Sequence, residues 1–269
     1  MGVGERQLRI AGVLENVWVV CDFVASQARE LGLDERAIHH CYLAVDEACT
    51  NIIEHGYGSN CSDCIIDVSC QSDQQALTIT IMDDSPPFDP LLRPDPDTHA
   101  PLSERGTGGW GIFFIKKLMD KVSYSYKDGR NHLVMVKKLN QAAQTPNHER
   151  SIARTIEMQA LSDKVWVVTP SGRLDDTQSR HLVSALSNQL ELGHRSLILN
   201  MAGVEYVSSA GLKMLVSVWQ RVRDLKGDLV LVGLVPRVRE VVQMIGLDLV
   251  FTITDTPDQA RSYFASKAK

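Results

Sequence analysis

The stretch LAVDEACTNIIEHG at residues 43–56 decides how the first half of this 269-residue chain is interpreted. Its pattern predicts a helix, on which Glu47, Asn51 and Glu54 share one face because they lie at positions i, i+4 and i+7. The opposite side is apolar and is predicted to be buried: Val45, Ala48, Cys49 and Ile52. A carboxylate and an amide one turn apart can hold Mg²⁺ through oxygen or orient a hydroxyl nucleophile. Taken alone, this spacing is more typical of a solvated helix face.

The residues around this helix predict a block of strands and helices that ends near residue 139. Asp34 suits a helix N-cap, Gly56 stops the helix that follows it, and Asp128-Gly129 is typical of a hairpin turn. Six prolines between residues 85 and 101 exclude regular structure there. The predicted strands are residues 8–13, 64–70, 77–82, 122–126 and 132–138, and the predicted helices are residues 17–31, 35–55 and 112–120.

Two further motifs in this block are candidates for ligand binding, one rich in carboxylates and the other rich in glycine. MDDSPPFDP at residues 82–90 places carboxylates at a strand end, where an aspartate can accept a hydrogen bond from an adenine amino group. RGTGGWGI at residues 105–112 opens a helix with four glycines, so the backbone can approach a phosphate and offer it free N–H groups. Taken separately, the first motif is as typical of an ordinary polar turn, and the second of a tight loop, as of a nucleotide site.

Together and in this order, the three motifs resemble the N, G1 and G2 boxes of the GHKL superfamily of ATPases and kinases. The closer resemblance is to the bacterial anti-sigma-factor serine kinases, and it covers residues 7–139. It rests on LAVDEACTNIIEHGY, DDSPPFDP, GTGGWGIFFIKKLMDKVSY and GRNHLVMVKKL. The resemblance implies an α/β sandwich with helices on one face of a mixed sheet, and ATP and Mg²⁺ as cofactors.

The resemblance also implies a role for individual positions. Glu47 matches the general base that acts on the incoming hydroxyl, Asn51 matches the Mg²⁺ ligand, and Asp83 matches the adenine-recognising aspartate. Residues 85–104 would form part of a lid over ATP. The resemblance implies that the nucleotide is bound by Arg105, Gly106, Thr107, Gly108, Gly109 and Gly111, and an exposed charge is the alternative for Arg105. Ser85 departs from the family, which usually has glycine there, and this change could narrow the adenine pocket.

The second half of the chain alternates strands with helices, which predicts a mixed or parallel sheet covered by helices. A polar segment at residues 140–152 is typical of a linker, so the predicted domains are residues 1–139 and 153–269. The predicted strands are residues 156–161, 165–171, 196–200, 228–232 and 250–254. The predicted helices are residues 176–192, 209–225, 236–245 and 257–265, and a loop is expected between residue 200 and the helix at 209.

SGRLDDTQSRHL and LILNMAGVEYVSSAGLKML, from the same half, resemble the STAS domain of anti-sigma-factor antagonists. The resemblance covers residues 153–265 and places the phosphoacceptor of that family at Ser209. It puts Ser208 where many members have aspartate, and Asp175 on the border of the same surface. Without this context, a serine at a helix start is an ordinary N-cap, and Asp175 is as well explained as a cap or a solvated loop carboxylate.

Composition limits the partners and the compartment. The chain carries 28 Lys+Arg against 33 Asp+Glu, so its net charge of −5 argues against nucleic-acid binding. No apolar run is long enough to span a membrane, and the N-terminus has no apolar core of a secretory signal. We therefore expect a cytoplasmic protein with reduced thiols. Cys61 and Cys64 form a C-x-x-C without the second ligand pair that a zinc site needs, which leaves a metal role as the less favoured alternative.

These observations favour a partner-switching regulator of transcription. The expected activity is that of a serine kinase acting on a STAS serine, either its own Ser209 or that of another copy. The resemblance implies a sigma factor or another regulator at the kinase domain, separate STAS proteins, a PP2C-type phosphatase and a homodimer as partners. The alternative is a non-catalytic scaffold, in which ATP tunes the kinase-like domain and the STAS domain plugs its binding surface.

Overall fold

The computed structural model describes residues 5–58, 61–73, 75–98, 109–139, 155–162 and 165–267. These residues form two compact units, residues 5–96 with 109–139 and residues 155–267. The predicted linker at 140–152 lies outside the described residues, so the domain boundaries stay predictions. Within the described part of the chain, no helix is both long enough and apolar enough to cross a membrane.

The first unit is a five-stranded sheet with three helices. The strands are β1 Glu5–Gly12, β2 Cys61–Ser72, β3 Ala76–Asp83, β4 Lys121–Lys127 and β5 Arg130–Lys138. The helices are α1 Val17–Leu31, α2 Glu35–Asn51 and α3 Trp110–Leu118. A π-helical turn, Ile52–Gly56, continues α2. Alternate residues of β3 and β5 are buried, so one face of the sheet carries the core and packs against the helices.

The strand order is β1-β2-β3-β5-β4, and every neighbouring pair is antiparallel. The expectation of helices on one face of a sheet is confirmed, but the mixed character expected for the sheet is wrong. The chain crosses from β3 to β4 through α3, a connection that usually joins parallel neighbours. Here the hairpin partner β5 lies between those two strands, so no parallel pair forms.

Helices α1 and α2 follow the predicted pattern closely. The bounds of α1 are those expected, and the Asp34 carboxylate accepts a hydrogen bond from the Ala37 N–H at 2.7 Å, as an N-cap should. At the other end of α2 the helix widens into the π-helical turn before Gly56. The predicted hairpin turn at Asp128-Gly129 is also present, with φ of 54° and 76° at its two central residues.

The expectation of reduced thiols holds for four of the six cysteines and is wrong for the other two. Cys61 and Cys64 are joined by a disulfide at the start of β2. The register with β1 shifts at this point, since Ala11 pairs with Ile65 and Gly12 with Cys61. The residues between the two cysteines therefore bulge from the ladder, which brings the two sulfur atoms together. The other four cysteines form no disulfide and are buried.

The second unit has a central sheet with helices on it. The strands are β6 Ile156–Ala160, β7 Val165–Leu174, β8 Ser196–Asn200, β9 Gly203–Val207, β10 Asp228–Val232 and β11 Thr252–Thr254. The helices are α4 Asp176–Glu191, α5 Ser209–Asp224, α6 Pro236–Met244 and α7 Pro257–Lys267. The order is β11-β10-β8-β7-β6, with β6 antiparallel to β7 and the other pairs parallel, so the predicted mixed sheet is confirmed.

Strand β9 replaces the loop that was expected before the helix at residue 209. It pairs in parallel with the end of β7, from Ser171 to Leu174. Only two residues separate β9 from β8, so the sequence offers no distinct turn that would mark a new strand. Three of the four β7 residues that pair with it, Gly172, Arg173 and Leu174, lie beyond the predicted end of that strand. The unpredicted strand and the early predicted end of β7 therefore have one cause.

A buried carboxylate anchors the last helix to the sheet. Asp228, the first residue of β10, accepts hydrogen bonds from Lys267 Nζ at 2.6 Å, the Tyr263 hydroxyl at 2.7 Å and Arg223 Nη1 at 3.2 Å. Burial alone would raise the pKa of Asp228. The hydrogen bonds from Lys267 and Tyr263, together with the positive charges of Lys267 and Arg223, outweigh burial and hold that pKa below its usual range.

Replacing this carboxylate should release α7. We expect Asp228→Asn to weaken the docking of α7 by about 1–2 kcal/mol at neutral pH, because a buried charged acceptor with three donors is lost. Hydrogen exchange of peptides covering α7 in the full chain measures this effect. Because the pKa of Asp228 is lowered in the fold, its contribution is present above the unfolded-state pKa of about 4 and is lost as the pH falls further.

The protection difference between the two proteins should therefore shrink below about pH 4. Asp255→Asn is the matched control, because Asp255 is exposed and pairs only with Arg239 among the described residues. Unchanged exchange of α7 in Asp228→Asn at neutral pH would contradict the anchoring role.

Candidate functional site

Glu47 and Asn51 lie one turn apart on α2 and face the start of α3. Glu47 is only 3% exposed, whereas Asn51 is partly exposed. Gly111, the second residue of α3, is in direct contact with this pair. A Cβ atom added to Gly111 would overlap Glu47 Oε2 and lie 3.4 Å from Asn51 Nδ2. The helix start can therefore lie against the carboxylate only because residue 111 has no side chain.

Glu54, the third polar residue predicted for this helix face, does not join the other two. Glu54 falls within the π-helical turn and is exposed. A π turn has more residues per turn than an α-helix, so the i, i+7 relation that the sequence analysis used no longer applies. The site on α2 is therefore a pair, Glu47 and Asn51, and the expectation for Glu54 is wrong.

Asp83, the last residue of β3, is buried. It lies near the end of the π-helical turn that is farther from α2. Its Oδ1 atom accepts hydrogen bonds from the Ser85 N–H at 3.0 Å, from the Ser85 hydroxyl, and from Asn131 Nδ2 at 3.0 Å. Asn131 was not singled out from the sequence. Its signal is the sheet register, because Asn131 lies directly across from Asp83 in the β3–β5 ladder.

The aromatic residue that follows the π-helical turn supports the same strand end. The Tyr57 hydroxyl lies 2.8 Å from both the Ile65 carbonyl oxygen and Asp84 Oδ1, and it accepts a hydrogen bond from the Asp84 N–H at 3.3 Å. Burial and the hydrogen bond with the Asp84 carboxylate raise the pKa of Tyr57. Tyr57 thus fixes the backbone next to Asp83 as a neutral phenol.

Part of the predicted lid and phosphate loop can be placed. Arg105, Gly106, Thr107 and Gly108 lie outside the described residues, as do residues 99–104 of the predicted lid. Gly109 precedes α3 with φ of 89°, and Trp110 then packs edge-on against Phe113 with the ring centroids 5.9 Å apart. Lys116 of α3 donates hydrogen bonds to the Arg93 carbonyl at 2.7 Å and to Asp95 Oδ1 at 3.0 Å. These contacts hold residues 93–95 of the predicted lid against α3.

In the second unit, the two neighbouring serines of the predicted phosphoacceptor turn have different environments. Ser208 is 5% exposed and is the N-cap of α5: its hydroxyl accepts from the Gly211 N–H and donates to the Leu174 carbonyl, both at 3.2 Å. Ser209 is the first residue of α5 and is partly exposed. The cap role therefore belongs to Ser208, and the more accessible hydroxyl is that of Ser209.

Asp175 lies beside this turn, since it follows Leu174 directly and caps α4 by accepting from the Gln178 N–H at 3.0 Å. A Cβ atom on Gly211 would come within 2.6 Å of the Leu174 carbonyl oxygen, so α5 begins in close contact with the end of β7. A shallow cavity of about 210 Å³ opens between α4 and α5 next to the turn. It is lined by Ser179, Arg180, Val183, Ala210 and Met214.

Comparison with known proteins agrees with this division into two kinds of domain. Residues 10–137 match the histidine kinase-like ATPase domain, and residues 156–260 match the STAS domain. The serine-protein kinase RsbW of Halalkalibacterium halodurans is 30% identical over 128 residues, which cover 46% of this chain and 76% of that protein. The chain belongs to the histidine kinase-like ATPase family that includes the RsbW serine-protein kinases, and it joins such a domain to a STAS domain.

Other relatives match one half of the chain each. BtrV of Bordetella bronchiseptica, named as an anti-sigma factor antagonist, is 29% identical over 102 residues, which cover 38% of this chain and 88% of that protein. The solved structure of an anti-sigma factor antagonist from Mycobacterium paratuberculosis is 25% identical, with a TM-score of 0.38. It covers 41% of this chain and 93% of its own length.

The contact between Glu47 and Gly111 predicts a strong coupling between two substitutions. Gly111→Ala should be destabilising in the wild-type background, because the new Cβ displaces the buried carboxylate. In a Glu47→Ala background the obstacle is gone, and Gly111→Ala should stabilise α3 by about 0.5–1 kcal/mol, the helix preference of alanine over glycine. Urea titrations of the four proteins, read by hydrogen exchange of peptides from α2 and α3, measure both effects.

The expected coupling energy between the two positions is about 1–2 kcal/mol, in the range for residues in direct contact. Additive effects of the two substitutions would show that α3 does not rest against Glu47. Asn51→Ala with Gly111→Ala is the matched comparison, because Asn51 lies at an ordinary contact distance from the added Cβ and should couple weakly.

Proposed function

We propose that this chain is an ATP-dependent protein serine kinase of a partner-switching system, which phosphorylates a STAS serine, either its own Ser209 or that of another copy. The observation that carries the proposal is the buried Glu47 carboxylate, which lies against the start of α3 one turn from Asn51. Serine-protein kinases among the relatives of this chain support the same reaction class.

The residues present fit a bound nucleotide. The start of α3 comes close to α2 without an intervening side chain at Gly111, and Gly109 precedes it in a left-handed conformation. A helix start of this kind offers N–H groups and a positive dipole end to phosphate oxygens. Asp83 and Asn51 are the residues that would hold an adenine amino group and Mg²⁺. Magnesium ATP supplies the transferable phosphoryl group and neutralises charge on its phosphates.

Glu47 has the role of general base in this proposal. Its carboxylate would accept the proton that the serine hydroxyl loses as the serine oxygen bonds to the γ-phosphorus, while the bond from that phosphorus to the bridging oxygen breaks and ADP leaves. Removing a positioned general base typically lowers the rate 10²–10⁴-fold. The contact with Gly111 fixes the orientation of the carboxylate, and the burial of Glu47 excludes bulk water from one side of it. Asn51, one turn later on the same helix, would hold the metal beside the base.

The acceptor turn fits a modification that leaves the fold intact. Ser208 already supplies the helix cap, so a phosphate on Ser209 would cost no capping hydrogen bond. It would add about 1.5–2 negative charges at the first residue of α5. The positive end of the helix dipole favours negative charge at that position. A partner that packs closely on the turn would instead be repelled, which makes phosphorylation a switch of binding.

The partners follow from the same proposal. A sigma factor or another regulator would bind the kinase domain, and a STAS domain would compete with that regulator until phosphorylation releases it. Separate STAS proteins and a PP2C-type phosphatase that resets Ser209 would complete the cycle. For this competition, the surface that binds the STAS domain would have to accept the unmodified serine hydroxyl and reject the phosphorylated one.

Phosphorylation of Ser209 can be measured directly. Incubation of the purified chain with Mg²⁺-ATP should add one phosphate to the intact mass, and peptide mapping should place it on Ser209. Ser209→Ala should abolish the mass increase, whereas Ser208→Ala should keep it while losing about 1 kcal/mol of helix capping. Glu47→Gln should slow the reaction by at least about 100-fold. Dilution dependence of the rate would distinguish transfer between copies from transfer within one chain.

Two outcomes would overturn the kinase proposal. One is phosphorylation of Ser209 by the Glu47→Gln protein at the wild-type rate. The other is ATP binding without a mass increase, either in the chain itself or in an added STAS protein. That second outcome would favour the non-catalytic scaffold, in which ATP only tunes the kinase-like domain for binding a partner.

A further inference from the structure

The hydrogen bonds of Asp83 are distributed unequally between its two carboxylate oxygens. Three donors reach Oδ1: the Ser85 N–H, the Ser85 hydroxyl and Asn131 Nδ2. Within the described residues, no hydrogen bond reaches Oδ2. Asp83, Ser85 and Asn131 are 4%, 7% and 5% exposed, so water does not replace these donors freely. The carboxylate is therefore held in one rotation, with one oxygen saturated and the other left as an acceptor.

The orientation of the Asn131 amide is itself fixed from both ends. Its Oδ1 atom accepts from the Tyr124 hydroxyl at 2.6 Å and from the Phe88 N–H at 3.3 Å. A backbone N–H can only donate, so the atom that faces Phe88 is the amide oxygen. Nδ2 consequently faces Asp83, and it donates to the Ser85 carbonyl at 2.9 Å as well. Asn131 thus presents a donor to Asp83 in a single orientation.

Ser85 is held just as tightly, from the side of the π-helical turn. A Cβ atom placed on Gly56 would come within 2.7 Å of Ser85 Oγ and 2.9 Å of Ser85 Cβ. The serine side chain therefore fills the space between that turn and Asp83. A glycine at position 85 would supply the backbone N–H but not the hydroxyl donor, and it would leave this space empty.

We infer that Ser85 and Asn131 are positioning residues that set the base selectivity of the nucleotide site. By saturating Oδ1, they leave Asp83 Oδ2 as one fixed acceptor, which matches the 6-amino group of an adenine nucleotide. A 6-oxopurine presents an acceptor at that position and a donor only at the neighbouring N1 atom. Asp83 could reach that donor only by turning, and Ser85 and Asn131 prevent the turn. The inference rests on the proposed binding of ATP and extends it.

Binding of ADP and IDP in the presence of Mg²⁺ tests this role without phosphoryl transfer. ADP carries an amino group at position 6 of the base and no proton on N1, whereas IDP carries an oxygen at position 6 and a proton on N1. Calorimetric titration should show that the wild-type chain prefers ADP. In Ser85→Ala and in Asn131→Ala, measured in parallel, the ratio of the two affinities should fall about tenfold, the factor expected when a hydrogen bond to a charged group is lost. Circular dichroism of each variant checks that it is folded.

A positioning role can be separated from a structural one. A structural defect would weaken ADP and IDP together and leave the ratio of their affinities unchanged. Ser69→Ala is the matched control, because Ser69 is a buried serine on β2 of the same sheet, away from Asp83. Its affinity ratio should equal that of the wild-type chain. In an Asp83→Asn background, Ser85→Ala should produce no further change in the ratio, because both act through one carboxylate.

The inference is overturned if the wild-type chain binds ADP and IDP equally, fails to bind either, or keeps its preference in both Ser85→Ala and Asn131→Ala. Its outcome is separate from that of the kinase proposal. A chain that shows the expected loss of base selectivity but never phosphorylates a STAS serine would keep the positioning role and lose the catalytic one.

Discussion

The close approach between the backbone of Gly111 and the carboxylate of Glu47 determines how closely α3 can begin against α2. It lets α3 begin directly on α2, and the start of α3 is the part of the fold that would meet phosphate. The same close approach limits the space around the carboxylate, so the absence of one side chain brings the proposed base next to the helix start that is proposed to bind phosphate. Trp110 packs on Phe113 within α3, and Lys116 in the last turn of that helix holds part of the predicted lid against it.

Both units place their candidate functional groups where a strand ends or a helix begins. Asp83 closes β3, and its partner Asn131 faces it from the neighbouring strand. Ser208 and Ser209 stand between β9 and α5, and the end of β7 lies against them. At such positions the backbone N–H and C=O groups are no longer used by the regular ladder, so they are available to orient polar side chains. The rigid sheet behind each site supplies the precision that a loop alone would lack.

Local patterns predicted the elements well, and they failed where distant residues decide the outcome. The cap at Asp34, the turn at Asp128 and the bounds of α1 depend on neighbours in sequence, and all three are confirmed. The antiparallel sheet depends on where β5 inserts, and β9 depends on the extended end of β7. Asn131 lies within GRNHLVMVKKL, but no local pattern assigns it a role, because Asp83 and Ser85, to which it donates, lie more than forty residues earlier in the chain. The roles assigned to Glu47, Asn51, Asp83 and Ser209 stay predictions, although the first two are brought together as the motif implies.

The packing of Ser85 against the π-helical turn has a consequence for sequence variation. A side chain at position 56 and a hydroxymethyl group at position 85 would occupy the same space. Serine at position 85 therefore requires glycine at position 56, whereas glycine at position 85 leaves room for a small side chain there. These two positions are far apart in the sequence, yet substitutions at one should be accepted only together with compatible residues at the other. The two residues in this corner next to Asp83 are therefore expected to change together.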